Sequence, residues 1–338
     1  MHASRPARSP VRAAALLRAA GLALAVSLAA TGVEARSAKF SHDLLAVSFP
    51  SEKEGWACGR RGAIVHTADG GSTWVVQQSG TMRTLTSVSF FDRQNGWAVG
   101  DVGTILHTTD GGKTWAPQKS PVKEFLMSVQ FVSPLKGWAV GERTTILYTA
   151  DGGRTWAVQF KDEDFLLKKV SFCDERTGWA AGEYGFIYRT EDGGATWRQQ
   201  AGSYRISDRT GEPEGGTFLF DIVAVDPRTA WAVGIDGYVT KTTDGGATWQ
   251  VVSGLPRAHL FAVASDARGR VLIGGDGLLL SSSDGGATFR PAGAEPPVRY
   301  GWIYRIIPRG AAGYVGVGKE GWIYLSDGKG EKWGRARL

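Results

Sequence analysis

Two features of the sequence predict an all-β fold, a seven-bladed β-propeller of four-stranded antiparallel blades with Asp-box turns. One is an eight-residue box closed by an aromatic residue, present seven times; the other is a Gly-Trp-Ala-x-Gly segment ahead of most copies. A third observation agrees: no stretch shows helical periodicity over ten residues.

The box first reads Thr67-Ala-Asp-Gly-Gly-Ser-Thr-Trp74 and returns at Thr108 to Trp115, Thr149 to Trp156, Thr190 to Trp197 and Thr242 to Trp249. The sixth copy, Ser282 to Phe289, replaces Trp by Phe. The seventh, Ser326 to Trp333, is degenerate, with its acid Asp327 one residue early. The closing aromatics lie 41, 41, 41, 52, 40 and 44 residues apart, a period typical of propeller blades. The second landmark, Gly55 to Gly59, recurs at Gly96 to Gly100, Gly137 to Gly141, Gly178 to Gly182 and Ala230 to Gly234, then decays to Val271 to Gly275 and Tyr314 to Gly318. Eleven of the 13 Trp residues fall in these two columns, so the Trp count follows from architecture.

Each unit parses into four short strands. In the second, Ser87 to Phe91 alternates polar and apolar side chains, Trp97 to Val99 follows the Asn95-Gly96 turn, Thr104 to Thr108 comes next, and the box leads into Thr114 to Gln118. The predicted blades are residues 40–78, 84–119, 125–160, 166–200, 218–253, 259–292 and 302–338. One such sheet cannot bury its own faces, whereas a ring of seven buries them against neighbours. Within the box, Asp69, Asp110, Asp151, Asp192, Asp244 and Asp284 are expected to accept backbone N–H bonds, the glycines to supply positive φ, and the hydroxyls to add local bonds. An acid repeated identically in five or six blades stabilises turns and does not mark one substrate.

Residues 1–35 read as a signal peptide: Arg5, Arg8, Arg12 and Arg18, an apolar run from Ala19 to Ala30, and small residues at Val33-Glu34-Ala35. The run is short for a membrane span of about 20 residues, and no cysteine follows it. The expected location is periplasmic or extracellular. The leader holds four Arg and one Glu, which reduces the formal charge of +6 to +3 for the remainder, a bias too mild to suggest nucleic acid. Cys58 and Cys173 fall in the first and fourth units. A ring places these units beyond the roughly 7 Å Cα separation a disulfide tolerates, so both are expected as buried free thiols.

The boxes resemble the Asp-box (BNR) repeat, Ser/Thr-x-Asp-x-Gly-x-Thr-Trp, found in sialidases, xyloglucan-cleaving enzymes, sortilin-type receptors and the photosystem II stability/assembly factor family. The regular period, the Gly-Trp-Ala-x-Gly strand and the leader are most similar to the last of these, over roughly residues 40 to 338. That resemblance implies a non-catalytic protein that holds a newly made membrane subunit through an Arg-rich face, without a cofactor. The irregular last two units and the longer fourth spacing depart from the pattern.

In a propeller the loops entering each innermost strand share a face with the turns joining the second and third strands. That set contains Arg60, Arg61, Arg83, Lys123, Arg143, Lys168, Arg205, Arg209, Arg257, Arg299 and Arg305. Phe125, Phe165, Tyr184, Tyr204, Phe218, Phe220, Phe261, Tyr300, Trp302 and Tyr304 are interleaved. Arg with aromatics is the usual composition of interface anchors, so this face is the expected protein-binding site, for a membrane protein or membrane-complex subunit, on a monomeric propeller. The insertion Ser203 to Gly216 leaves on the same side.

Other signals are weak. Gly316-Val-Gly-Lys-Glu-Gly321 opens no helix, as a dinucleotide fingerprint must. His66 and His107 share a strand position with Tyr148, Arg189 and Lys241, which reads as a solvent-facing column without a metal role. The alternative function is a sialidase-like glycoside hydrolase or a glycan-binding propeller, but the Arg-Ile-Pro entry motif is missing near residue 36 and appears only in broken form at Arg305 to Pro308.

Overall fold

The computed structural model describes residues 40–160, 163–211, 213–336 and 338. The expected leader lies outside the described residues. Seven four-stranded meanders close into a ring. The innermost strands are β1 (Leu44–Ser48), β5 (Leu85–Phe90), β9 (Leu126–Phe131), β13 (Leu167–Phe172), β19 (Leu219–Ala224), β23 (Leu260–Ser265) and β28 (Ile303–Pro308). In the second blade β5 is followed outward by β6 (Gly96–Gly100), β7 (Thr104–Thr108) and β8 (Ala116–Pro117). The outermost strand is shorter than the sequence suggests, two residues with Pro117 at an edge position where proline is tolerated. Helical structure among the described residues is confined to three-residue 3₁₀ turns, and no helix there is long and apolar enough to cross a membrane.

The Gly-Trp-Ala-x-Gly strands are buried at every position, and their Trp side chains join one blade to the next. Trp97 stacks on Phe131 of the following blade at 3.5 Å between centroids, and its Nε1–H donates to the carbonyl of Gly152 in that blade's box at 3.0 Å. Trp56 and Trp138 repeat this with Phe90 and Gly111, and with Phe172 and Gly193. Glutamines of the outer strands reinforce it: Gln77, Gln118, Gln159 and Gln200 donate to the same glycine carbonyls, or the equivalent Gly245, at 2.7–3.2 Å. The glycine opening the second strand of the first four blades leaves room for an aromatic: a Cβ at Gly96 would fall 2.4 Å from the Phe90 ring.

The seventh blade differs from expectation. Its sheet has five strands, because the linker segment β27 (Gly293–Glu295) pairs in parallel with the outermost strand β31 (Lys332–Arg335) before the chain turns inward. The 44-residue spacing supplies the chain for this, and the added strand covers an edge otherwise open. The ring closes between blades one and seven through side chains: Leu44, Val47, Val65 and Trp74 pack with Val315, Val317 and Ile323. Asp43 Oδ1 accepts the N–H of Glu320 at 2.9 Å, and Glu52 Oε1 that of Ala311 at 2.8 Å.

Candidate functional site

Backbone hydrogen bonds fix which loops share a face. At the turn between second and third strands, the N–H of Arg60, Asp101, Glu142, Glu183, Ile235, Asp276 and Lys319 donates to the carbonyl of Asp43, Thr84, Phe125, Leu166, Phe218, His259 and Trp302, just ahead of the innermost strand. These loops form the top face. On the opposite side, the first box glycine donates to the turn between first and second strands, as in Gly111 to Gln94 at 3.0 Å.

The box carboxylates are committed to their own turns. Asp110 Oδ1 accepts from the Thr108 hydroxyl at 2.8 Å and the Thr114 N–H at 2.9 Å, while Oδ2 accepts from the Thr114 hydroxyl at 2.7 Å. The pattern repeats at Asp69, Asp151, Asp192, Asp244 and Asp284. Hydrogen bonding to the charged form lowers a carboxyl pKa; the following Thr holds Asp69, Asp110, Asp151 and Asp192 at about 2.

On the top face, Arg60, Arg61, Arg83, Lys123, Arg143, Arg205, Arg257 and Arg299 are exposed. Arg60 pairs with Asp43 at 3.1 Å, Arg205 with Glu214 at 3.4 Å, and Arg83 donates to the Thr104 hydroxyl at 3.2 Å. Arg61, Arg143 and Tyr184 occupy the tip of their turns with φ of 59°, 55° and 55°, a left-handed conformation costing of order 1–2 kcal/mol for a residue with a Cβ. Tyr184 is half-buried and packs on Phe165. Trp302 is half-buried beneath the Lys319 ammonium, 5.5 Å from its ring centre. The insertion forms a hairpin of β17 (Arg205–Ile206) and β18 (Pro213–Glu214), with Tyr204 5.1 Å from Tyr184. The same turns also carry Asp101, Glu142, Glu183, Asp236, Asp276 and Glu320, so the face is mixed in sign. Glu142 and Glu183 accept the N–H of Phe125 and Leu166 at 3.0 and 2.7 Å.

Lys168 and Arg305 belong elsewhere than the rim loops where the sequence put them: both lie on innermost strands and line the central channel. Every innermost strand has a register shift at its second residue. A bulge re-aims a side chain, and here the bulged residues Leu45, Thr86, Met127, Lys168, Phe220, Phe261 and Tyr304 all line a cavity of about 50 Å³ at the channel mouth. One residue further, Lys169, Asp221 and Arg305 join it. Arg305 forms an ion pair with the buried Asp221. Asp221 Oδ1 also accepts the N–H of Ile222 and Oδ2 that of Val263, each at 3.0 Å. Lys169 and Asp221 escaped the sequence analysis because only loops were searched. Aligning the innermost strands would have set Ala46, Ser87, Ser128, Lys169, Asp221, Ala262 and Arg305 in one column, with its charges in three blades.

The column of His66, His107, Tyr148, Arg189 and Lys241 is half-buried and not solvent-facing. Each member lies over the Trp of its own blade, as His107 over Trp97 at 4.6 Å and Arg189 over Trp179 at 5.1 Å. These side chains fill the space between blades. Cys58 is buried, Cys173 half-buried, and both are free thiols.

A ring of seven such meanders tied by self-contained acid turns defines the class, an Asp-box β-propeller. The family profile described as photosynthesis system II assembly factor YCF48 matches residues 29–120 and 115–214, over half of the sequence, and the chain belongs to that family. No curated protein matches the sequence. Among solved structures it is similar to YCF48 bound to D1 peptide (TM-score 0.70, 21% identity, 85% of this chain and 95% of that one). YCF48 from Cyanidioschyzon merolae follows (TM-score 0.68, 21% identity, 84% and 95%). A GH74 xyloglucanase from Xanthomonas campestris shares the fold at 13% identity (TM-score 0.68), covering 88% of this chain and 55% of that one.

Proposed function

We propose that the protein is an exported, non-catalytic docking factor that holds a segment of a membrane protein on its top face during assembly of a membrane complex. The observation that carries this reading is family membership joined to a similar propeller bound to a D1 peptide. The box carboxylates support it, since they are engaged in their own turns and not poised over a cleft. Within the face, Arg61 and Arg143, which form no ion pair among the described residues, and the half-buried Tyr184 and Trp302 have the composition of interface anchors. Export rests on the leader at residues 1–35.

The test is an affinity pull-down of the tagged protein from solubilised membranes, beside a variant with Arg60, Arg61, Arg83 and Arg143 replaced by Ala. A membrane protein captured by wild type and lost in the variant supports the reading. Equal capture by both removes the basic face, and N-terminal sequencing that finds Met1 on the secreted protein removes the cleaved leader.

A further inference from the structure

The channel mouth is electrostatically unbalanced in a way that no stability argument explains. Three cationic side chains, Lys168, Lys169 and Arg305, line one small cavity with a single carboxylate. Asp221 is already taken by Arg305 and two backbone N–H groups. Neither lysine ammonium has a hydrogen bond or ion pair among the described residues, and both side chains are half-buried, where an uncompensated ammonium is costly. Arg305 and Asp221 both act on Lys169, the first disfavouring its charge and the second supporting it. Glu183 acts on Lys168, but its carboxylate caps the Leu166 N–H.

Aromatic side chains of three consecutive blades line the same mouth. Phe220, Phe261 and Tyr304 form a continuous aromatic wall, with centroids 5.0 and 5.6 Å apart. A cavity of about 50 Å³ has room for roughly three to five water-sized groups at 10–15 Å³ each, enough for a carboxylate but not for a folded chain. The head group enters the cavity, and whatever bears it lies against the aromatic wall.

We propose that the channel mouth is a binding site for a carboxylate borne on an apolar body, held by Lys168 and Lys169 and backed by Phe220, Phe261 and Tyr304. Two sources supply this chemistry, a free small carboxylic acid or the C-terminal carboxylate of a polypeptide ending in apolar residues. Charge-assisted bonds to the two ammonium groups supply affinity and the aromatic wall supplies selection for the body. The lysines are held low by burial, Lys168 to about 8 and Lys169 to about 7. Affinity therefore falls as pH rises from 6 to 9; Arg305, Asp221 and Tyr304 face the same cavity, and burial pushes the Tyr304 hydroxyl above its ordinary 10. The inference does not depend on the docking function, because no membrane protein enters its readouts.

The test titrates the chain with its leader removed by calorimetry against 4-phenylbutyrate and its neutral isostere 4-phenylbutyramide. A peptide ending in Leu-Phe follows, with a free or an amidated terminus. Lys169→Met and Lys168→Met are measured alongside wild type, each checked for an intact thermal transition. Binding of phenylbutyrate over phenylbutyramide, weakened about tenfold or more in either variant, supports the site with a free acid as ligand. Binding of the free-ended peptide alone supports it with a chain end as ligand. Equal binding of acid and amide in both pairs, or no loss in either folded variant, overturns the proposal. So does absence of heat with all four probes up to about 10 mM, the range of the weakest specific sites.

Discussion

Replacing Lys169 by Met should stabilise the protein, although it deletes a charged residue from the centre of the ring. Burial and, secondarily, the neighbouring Arg305 push the ammonium down to about 7 from its ordinary 10.5. At 1.36 kcal/mol for each pH unit, that difference sets a ceiling of about 5 kcal/mol on the cost of keeping the charge in the folded state. Water reaching the open mouth brings the expected gain down to about 1–3 kcal/mol. For a lysine with a depressed pKa the unfolded chain binds more protons between pH 7 and 10.5, so wild-type stability rises with pH across that window. The advantage of the variant is therefore largest at pH 6 and vanishes near pH 10.5. Other groups act there too: burial pushes the Cys58 thiol up and Tyr314 to about 12, and both favour unfolding at high pH. Taking the difference between variant and wild type cancels their contributions. Urea unfolding at pH 6, 8 and 10 is the assay. A variant less stable than wild type at pH 6, or a gain independent of pH, would refute the reasoning.

Three further outcomes are expected. Trp138→Ala removes a fully buried indole stacked on Phe172 of the next blade and bonded to Gly193, and it should cost about 3–5 kcal/mol in denaturant unfolding; a loss under 1 kcal/mol would deny its role in joining blades. The box carboxylates at about 2 add stability that is present above their ordinary 3.8 and lost as pH falls through 2. Replacing Thr73, Thr114, Thr155 and Thr196 together by Val should then move the acid-unfolding midpoint upward, followed by circular dichroism. Cys58 is buried against the Leu85 carbonyl, so it should react with a thiol reagent at pH 8 only at the rate of unfolding, and prompt modification of two thiols in the native protein would contradict that.

The architecture was legible because it is written seven times. A box such as Thr108 to Trp115 constrains one turn, but its recurrence at a fixed period admits few arrangements other than a closed ring. The assignment of loops to faces followed from topology alone, and the bonds from Arg60 to Asp43 and from Gly111 to Gln94 show the physical link. What stayed hidden depended on pairing register. A bulge shifts a side chain by one position without altering composition, so Lys168, Phe220, Phe261 and Tyr304 looked like loop residues and not like channel residues. The His66 column was misplaced for a related reason: strand alternation gives the face of a sheet, and in a propeller both faces are covered. Fifth-strand pairing at Gly293–Glu295 involves three residues with no alternation to read.

The division of labour within this molecule follows from its symmetry. Positions that repeat around the ring are already engaged, the box acids within their own turns and the Trp of the second strands and the outer-strand glutamines with the next blade, and so have little left to offer a ligand. Positions that vary from blade to blade are free of that duty, and the two rings at the channel mouth vary most. One ring runs from Leu45 and Thr86 through Lys168 to three aromatics, and the next changes from Ala and Ser to Lys169, Asp221 and Arg305. Repetition places these side chains around one axis, while divergence of the repeats gathers the two lysines on the fourth blade and the aromatics on the fifth to seventh. Recognition in such a ring is a property of differences between blades, and a consensus blade would retain the fold and lose the site.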